Sequence, residues 1–176
     1  MPKILRPHHT GLQVADLDRS LGFYRDLLGF ELVFRWNPQA EYIGILVGYP
    51  GVDLHAAILK VPNSDTILEL LEYRNVARHP VDTGTANPGT AHTAYFVDDL
   101  DAMYERLVAA GVRAVSPPVT PTIGPNVGGR AVYLMDPDGI RVELIQSART
   151  FADYAREGDG PAKAEQPPAR APQPGR

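Results

Sequence analysis

The chain has 176 residues and no cysteine. That excludes disulfides, thiolate-bound zinc and a cysteine nucleophile together, and it suits a reducing compartment. Long apolar runs are also missing. No stretch approaches the ~18 residues that cross a bilayer, and the N-terminal MPKILRPHH has no apolar core of signal-peptide length. Nor is there a surplus of positive charge. The net charge is −4 and the pI about 5.7, with Lys and Arg scattered, which removes the electrostatic basis for nucleic-acid or anionic-membrane binding. A cytoplasmic protein acting on a small molecule is the expectation. Large apolar side chains are scarce after Phe151 and Tyr154, where EGDGPAKAEQPPARAPQPGR follows. Residues 155–176 therefore read as a disordered Pro/Ala/Gly-rich tail, and residues 1–154 as the folded domain.

What the chain does have is a repeat. HTGLQVADLD at residues 9–18 returns as HTAYFVDDLD at residues 92–101, so that His9 answers His92 and Asp16-Leu17-Asp18 answers Asp99-Leu100-Asp101. In each copy an alternating run predicts a strand. Thr10, Leu12 and Val14 take one face, and His9, Gly11 and Gln13 the other. Asp16 or Asp18 is placed to cap the helix that follows, which carries Leu21, Tyr24, Leu27 and Leu28 and stops at Gly29. The second helix, near 99–110, buries Leu100, Met103, Leu107 and Val108 or Ala110, and stops at Gly111. Strands are expected at 30–34, 42–47, 53–61 and 66–73 in the first half. In the second they are expected at 92–97, 112–115, 131–135 and 140–146. A polar stretch from Arg74 to Thr90 links the halves, and the Pro/Gly-rich loop 116–129 is a candidate lid.

One glutamate interrupts the aliphatic run of the last strand in each half: Glu69 in ILELL and Glu143 in RVELI. A carboxylate among apolar neighbours is costly to bury unless something positive meets it. The repeat makes the glutamates equivalent, as it does the histidines, and halves packed with pseudo-two-fold symmetry would bring all four together. Two imidazoles and two carboxylates form a mixed N/O donor set suited to Zn, Ni, Co, Mn or Fe. His9, Glu69, His92 and Glu143 are therefore the candidate metal ligands. His8 is passed over because the repeat selects His9. His55 has no counterpart and reads as structural, while His79 reads as solvated. Glu72 falls on the opposite strand face from Glu69. Tyr73 and Arg141 share faces with Glu69 and Glu143 and are candidate substrate contacts.

HTGLQVADLDRSLGFYRDLLGFEL, ILELLEY, AHTAYFVDDLD and DPDGIRVELIQ together resemble the vicinal oxygen chelate (VOC) superfamily, and within it most closely glyoxalase I (lactoylglutathione lyase). The likeness covers nearly everything from His9 to Gln146. It implies an α+β fold of two βαβββ modules, about 5–73 and 91–147, forming an incomplete barrel around a metal held by His9, Glu69, His92 and Glu143. It also implies a metal-dependent isomerase or lyase acting on vicinal oxygens through an enediolate-like intermediate. Glu143 would move the proton, with Glu69 the symmetric second choice, and a homodimer is expected. Two other activities occur in the superfamily: Fe(II) extradiol-type dioxygenation and non-catalytic drug sequestration. Glu69 argues against the first by occupying a position that oxygen and catechol need. The complete ligand set argues against the second.

Overall fold

The computed structural model describes residues 1–123 and 126–147. The expected tail and the boundary near residue 154 lie outside them. The chain divides into two compact units: Met1–Ala91 with Met135–Arg141, and His92–Leu134 with Val142 onward.

In the first unit, β1 (Thr10–Gln13) is followed by α1 (Leu17–Leu21) and its π-helical continuation (Gly22–Leu27), then by β2 (Glu31–Trp36). Next come a short helix α2 (Glu41–Val47), β3 (Leu54–Lys60) and β4 (Ile67–Tyr73). The four strands form one sheet in the order β1-β4-β3-β2, with β1 parallel to β4 and the other pairs antiparallel. β4 alternates as a sheet with unlike faces must. Leu68, Leu70 and Glu72 are buried, while Ile67, Glu69, Leu71 and Tyr73 are only partly covered. Leu17, Leu21, Phe23 and Tyr24 from the helical segment are buried as well. The wider π turn puts Phe23 and Tyr24 inside and leaves Leu27 half-buried, so the stripe differs from an ideal 3.6-residue pattern. Each fully buried leucine contributes roughly 1.5–3 kcal/mol of transfer free energy.

The second unit has β5 (His92–Phe96), α3 (Leu100–Ala109) and all but the hairpin-end residues of β6 (Arg130–Met135) and β7 (Arg141–Gln146), with sheet order β5-β7-β6. It repeats the order β1-β4-β3 of the first. The repeat extends to single hydrogen bonds. Val14 N donates to Leu71 O and Val97 N to Ile145 O, each at 2.9 Å. Asp16 caps α1 through Arg19 N at 2.9 Å, and Asp99 caps α3 through Ala102 N at 3.0 Å, so the first aspartate of each Asp-Leu-Asp is the cap. Leu17 N donates to Glu72 at 3.2 Å and Leu100 N to Gln146 at 2.9 Å. Both acceptors stand three residues after the candidate glutamates. Gly29 and Gly111 end their helical segments at φ of 78° and 86°, where a side chain would be strained.

Several expectations fail. Residues 42–47 are helical: Gly48 caps α2 in the left-handed region, and Gly44 sits so close to the Tyr49–Gly51 backbone that a Cβ would come within 3.0 Å. A short β-branched run does not by itself separate strand from helix. Residues 112–115 reduce to one isolated bridge, Ala114 to Leu134, so the second sheet lacks a full counterpart of β2. Val108 of α3 and Ala110, its C-cap, are exposed.

Candidate metal-binding half-sites

Each repeated histidine faces the repeated glutamate of its own unit. Gly11 is in direct register with Glu69, and His9 lies two residues before it on β1's parallel approach to β4. His9 Nε2 is 3.1 Å from Glu69 Oε2, with side-chain exposures of 38% and 14%. In the second unit His92 Nε2 is 3.4 Å from Glu143 Oε2, at exposures of 45% and 17%. Both carboxylates therefore sit deeper than both imidazoles. Each pair brings one imidazole nitrogen and one carboxylate oxygen next to each other, and such N/O donors are of the type a borderline divalent cation takes. Among the described residues no group of three or more His, Asp or Glu is gathered. What each unit shows is one His–Glu pair.

The half-sites are supported differently. His8 Nδ1 lies 2.6 Å from His9 Nδ1, with the rings edge to face at 4.9 Å. The ring nitrogen of His9 remote from Glu69 is thus engaged, which fixes how Nε2 points. In the second unit the support falls on the carboxylate. Tyr133 Oη donates to Glu143 Oε2 at 3.1 Å and lies 3.4 Å from His92 Nε2, its ring edge to face with the imidazole at 5.3 Å. Burial first, and the Glu143 carboxylate second, push the Tyr133 phenol above its ordinary range, so it remains a protonated donor.

Around Glu69 the sheet face is apolar. Register sets Gly11, Glu69, Ile58 and Phe34 in one row, and Gln13, Leu71, Ala56 and Trp36 in the next. Phe34 and Trp36 are 51% and 37% exposed. Tyr73 ends the same face against Tyr49, and burial is the first cause raising its phenol, before Tyr49 and Glu69.

The remaining candidates fall elsewhere. Glu72 is buried on the opposite face and held by Arg74 through two hydrogen bonds. His55 is satisfied by Asn37 at 2.7 Å and Asp53 at 3.1 Å. His79 is exposed. Arg141 donates to Gly139 O. The lid candidate 116–129 includes residues 124 and 125, outside those described, and Val119 bridges Ala131. Sequence reasoning missed Tyr133. The signal lay in the Asp-Pro-Asp-Gly turn at 136–139: Asp136 N to Ile140 O closes that hairpin, and counting outward sets residue 133 across from residue 143.

A His–Glu pair in each of two repeated strand-helix-strand modules defines a two-module α+β architecture. The chain belongs to the Glyoxalase/Bleomycin resistance protein/Dioxygenase superfamily, whose model matches residues 6–144. It is 35% identical over 147 residues to a probable lactoylglutathione lyase from Vibrio parahaemolyticus, covering 82% of this chain and 92% of that one. It is 33% identical over 150 residues to a 2-epi-5-epi-valiolone epimerase from an Actinomyces species, covering 82% and 81%. The crystal structure of a glyoxalase family protein from Bacillus cereus shares the fold at a TM-score of 0.73 and 23% identity, over 83% of this chain and 96% of that one. The protein is an enzyme of glyoxalase type. No helix among the described residues is long and apolar enough to cross a membrane.

Proposed function

We propose that the protein is a divalent-metal-dependent isomerase or lyase of the lactoylglutathione lyase kind, with His9, Glu69, His92 and Glu143 as its metal ligands. The observation that carries this reading is the pair of Nε2–Oε2 approaches, 3.1 and 3.4 Å, at repeat-related positions. Both half-sites are needed to complete a set of two nitrogens and two oxygens, from one chain or from two copies in a homodimer. Bound there, the metal supplies Lewis acidity to a substrate bearing two neighbouring oxygens. Glu143 takes the proton from one carbon and returns it to the adjacent carbon, passing through an enediolate-like intermediate. One C–H bond breaks and another forms, so no external oxidant or reductant enters. The apolar face beside Glu69, with Phe34 and Trp36, would cover the substrate's non-chelating part and keep water from the intermediate. The protein would work in the cytoplasm, where a chain without cysteine has no disulfide to lose.

The test is metal analysis of the purified protein combined with assays on methylglyoxal plus glutathione and, aerobically, on a catechol. Stoichiometric divalent metal with turnover of the hemithioacetal is expected. Ring cleavage with iron bound would replace this reading by the dioxygenase one. Absence of metal, with Glu143→Gln unchanged in metal content and activity, would remove it.

A further inference from the structure

The hydroxyl of Tyr133 is not required by the fold. Ile58 occupies the corresponding place in the first unit, directly opposite Glu69 on the neighbouring strand, and the sheet forms there without a polar atom. Tyr133 Oη instead meets Glu143 Oε2 at 3.1 Å, and His92 Nε2 approaches the same oxygen at 3.4 Å. Both contacts fall on Oε2, and among the described residues no group donates to Oε1. A charge-assisted hydrogen bond of this kind restricts rotation of the carboxylate about its last bond.

We infer that Tyr133 is a positioning residue that holds one oxygen of Glu143 and leaves the other to carry the proton. The inference rests on the metal-dependent reading above and adds an asymmetry to it: only one of the two glutamates is tethered in this way. A carboxylate that must both serve the metal and move a proton needs a fixed pivot, and the phenol provides one on the protein side. Among the described residues Glu69 meets His9 Nε2 but no hydroxyl, which assigns proton movement to Glu143 on geometry and leaves Glu69 an anchoring role.

Tyr133→Phe removes only the hydroxyl. Tyr133→Ile installs the residue found at the equivalent place in the first unit and serves if Phe perturbs folding, which circular dichroism and the melting temperature would show. Apoprotein is titrated with Zn²⁺ against a chromophoric chelator, and kcat and KM are measured separately on metal-saturated protein, beside Glu143→Gln. Expected for the Tyr133 variants are a tenfold to hundredfold fall in kcat, a KM within about twofold and a Zn²⁺ affinity about tenfold weaker. Kinetics and affinity both within twofold of wild type, while Glu143→Gln is impaired, would overturn the role of Tyr133 and leave the proposed function standing. Unaltered Zn²⁺ affinity and activity in Glu143→Gln would overturn both.

Discussion

The two halves of this chain repeat each other down to single hydrogen bonds, yet each steadies a different member of its His–Glu pair. In the first, His8 holds the imidazole of His9 and the glutamate faces aliphatic Ile58. In the second, Tyr133 holds the carboxylate of Glu143. The backbone plan is common: the Asp16 and Asp99 caps, the Leu17 and Leu100 amides on Glu72 and Gln146, and the strand order β1-β4-β3 repeated by β5-β7-β6. The scaffold is shared, and the difference lies in what touches the His and Glu side chains. Two anchors made alike would hold a cation. One anchor with a steadied histidine and another with a steadied carboxylate suits a site that holds a cation and also moves a proton.

The strongest way to break that comparison is to swap the glutamates' fates. On metal-saturated protein, Glu143→Gln should lower kcat by about 10²–10⁴-fold, the range for loss of a general base. Glu69→Gln should lower it by no more than about 10–100-fold, as expected for a perturbed ligand. Equal losses in steady-state assays would erase the asymmetry.

The scaffold, by contrast, should respond symmetrically. Leu70 and Leu144 are fully buried, each one residue beyond its half's glutamate. Leu70→Ala and Leu144→Ala should each cost about 2–5 kcal/mol in denaturant unfolding, plus or minus local relaxation. A negligible cost in one half alone would show that its core is not built as the repeat implies.

A smaller effect is expected from His8→Ala, which leaves every candidate ligand in place. Chelator competition should show Zn²⁺ affinity reduced by up to about tenfold, since the remote ring nitrogen of His9 loses its partner. Unchanged affinity would make the His8 contact incidental.

The smallest effect concerns pH. Asp136 is buried, accepts hydrogen bonds from Tyr24, Asp138 and Ile140, and has its carboxyl raised above the ordinary value of 3.8, burial being the first cause. A carboxyl raised by folding contributes stability that is full below its unfolded pKa and is lost as pH rises through the higher folded value. Asp16, lowered chiefly by its hydrogen bond from Arg19 N, works in the opposite sense, losing its contribution as pH falls. The melting temperature of Asp136→Asn relative to wild type should therefore increase from pH 4 upward. A difference that is flat with pH would remove burial of a charge as the cause.

Much of this was legible in the sequence where period and repeat agreed. The alternation of His9–Val14 and the recurring Asp-Leu-Asp gave strand, cap and helix. The lone glutamates in ILELL and RVELI gave the partners that the histidines face within each unit. The rest depended on contacts that no local pattern encodes. YIGILV has the composition of a strand but takes a helix, because Gly44 and Gly48 allow a close packed turn that propensity alone does not reveal. Val112–Val115 has strand-forming residues but keeps only the Ala114 bridge. Tyr133 carries no local mark of its own in the 131–135 strand, and only the pairing set by the 136–139 turn places it across from Glu143.

The central claim is that neither half-site suffices and both contribute to one metal. Zn²⁺ titration of the apoprotein against a chelator, repeated on Glu69→Gln and Glu143→Gln, tests it most directly. The account predicts one ion per chain in the wild type and at least a tenfold loss of affinity from either substitution. Full wild-type affinity in either variant would contradict it.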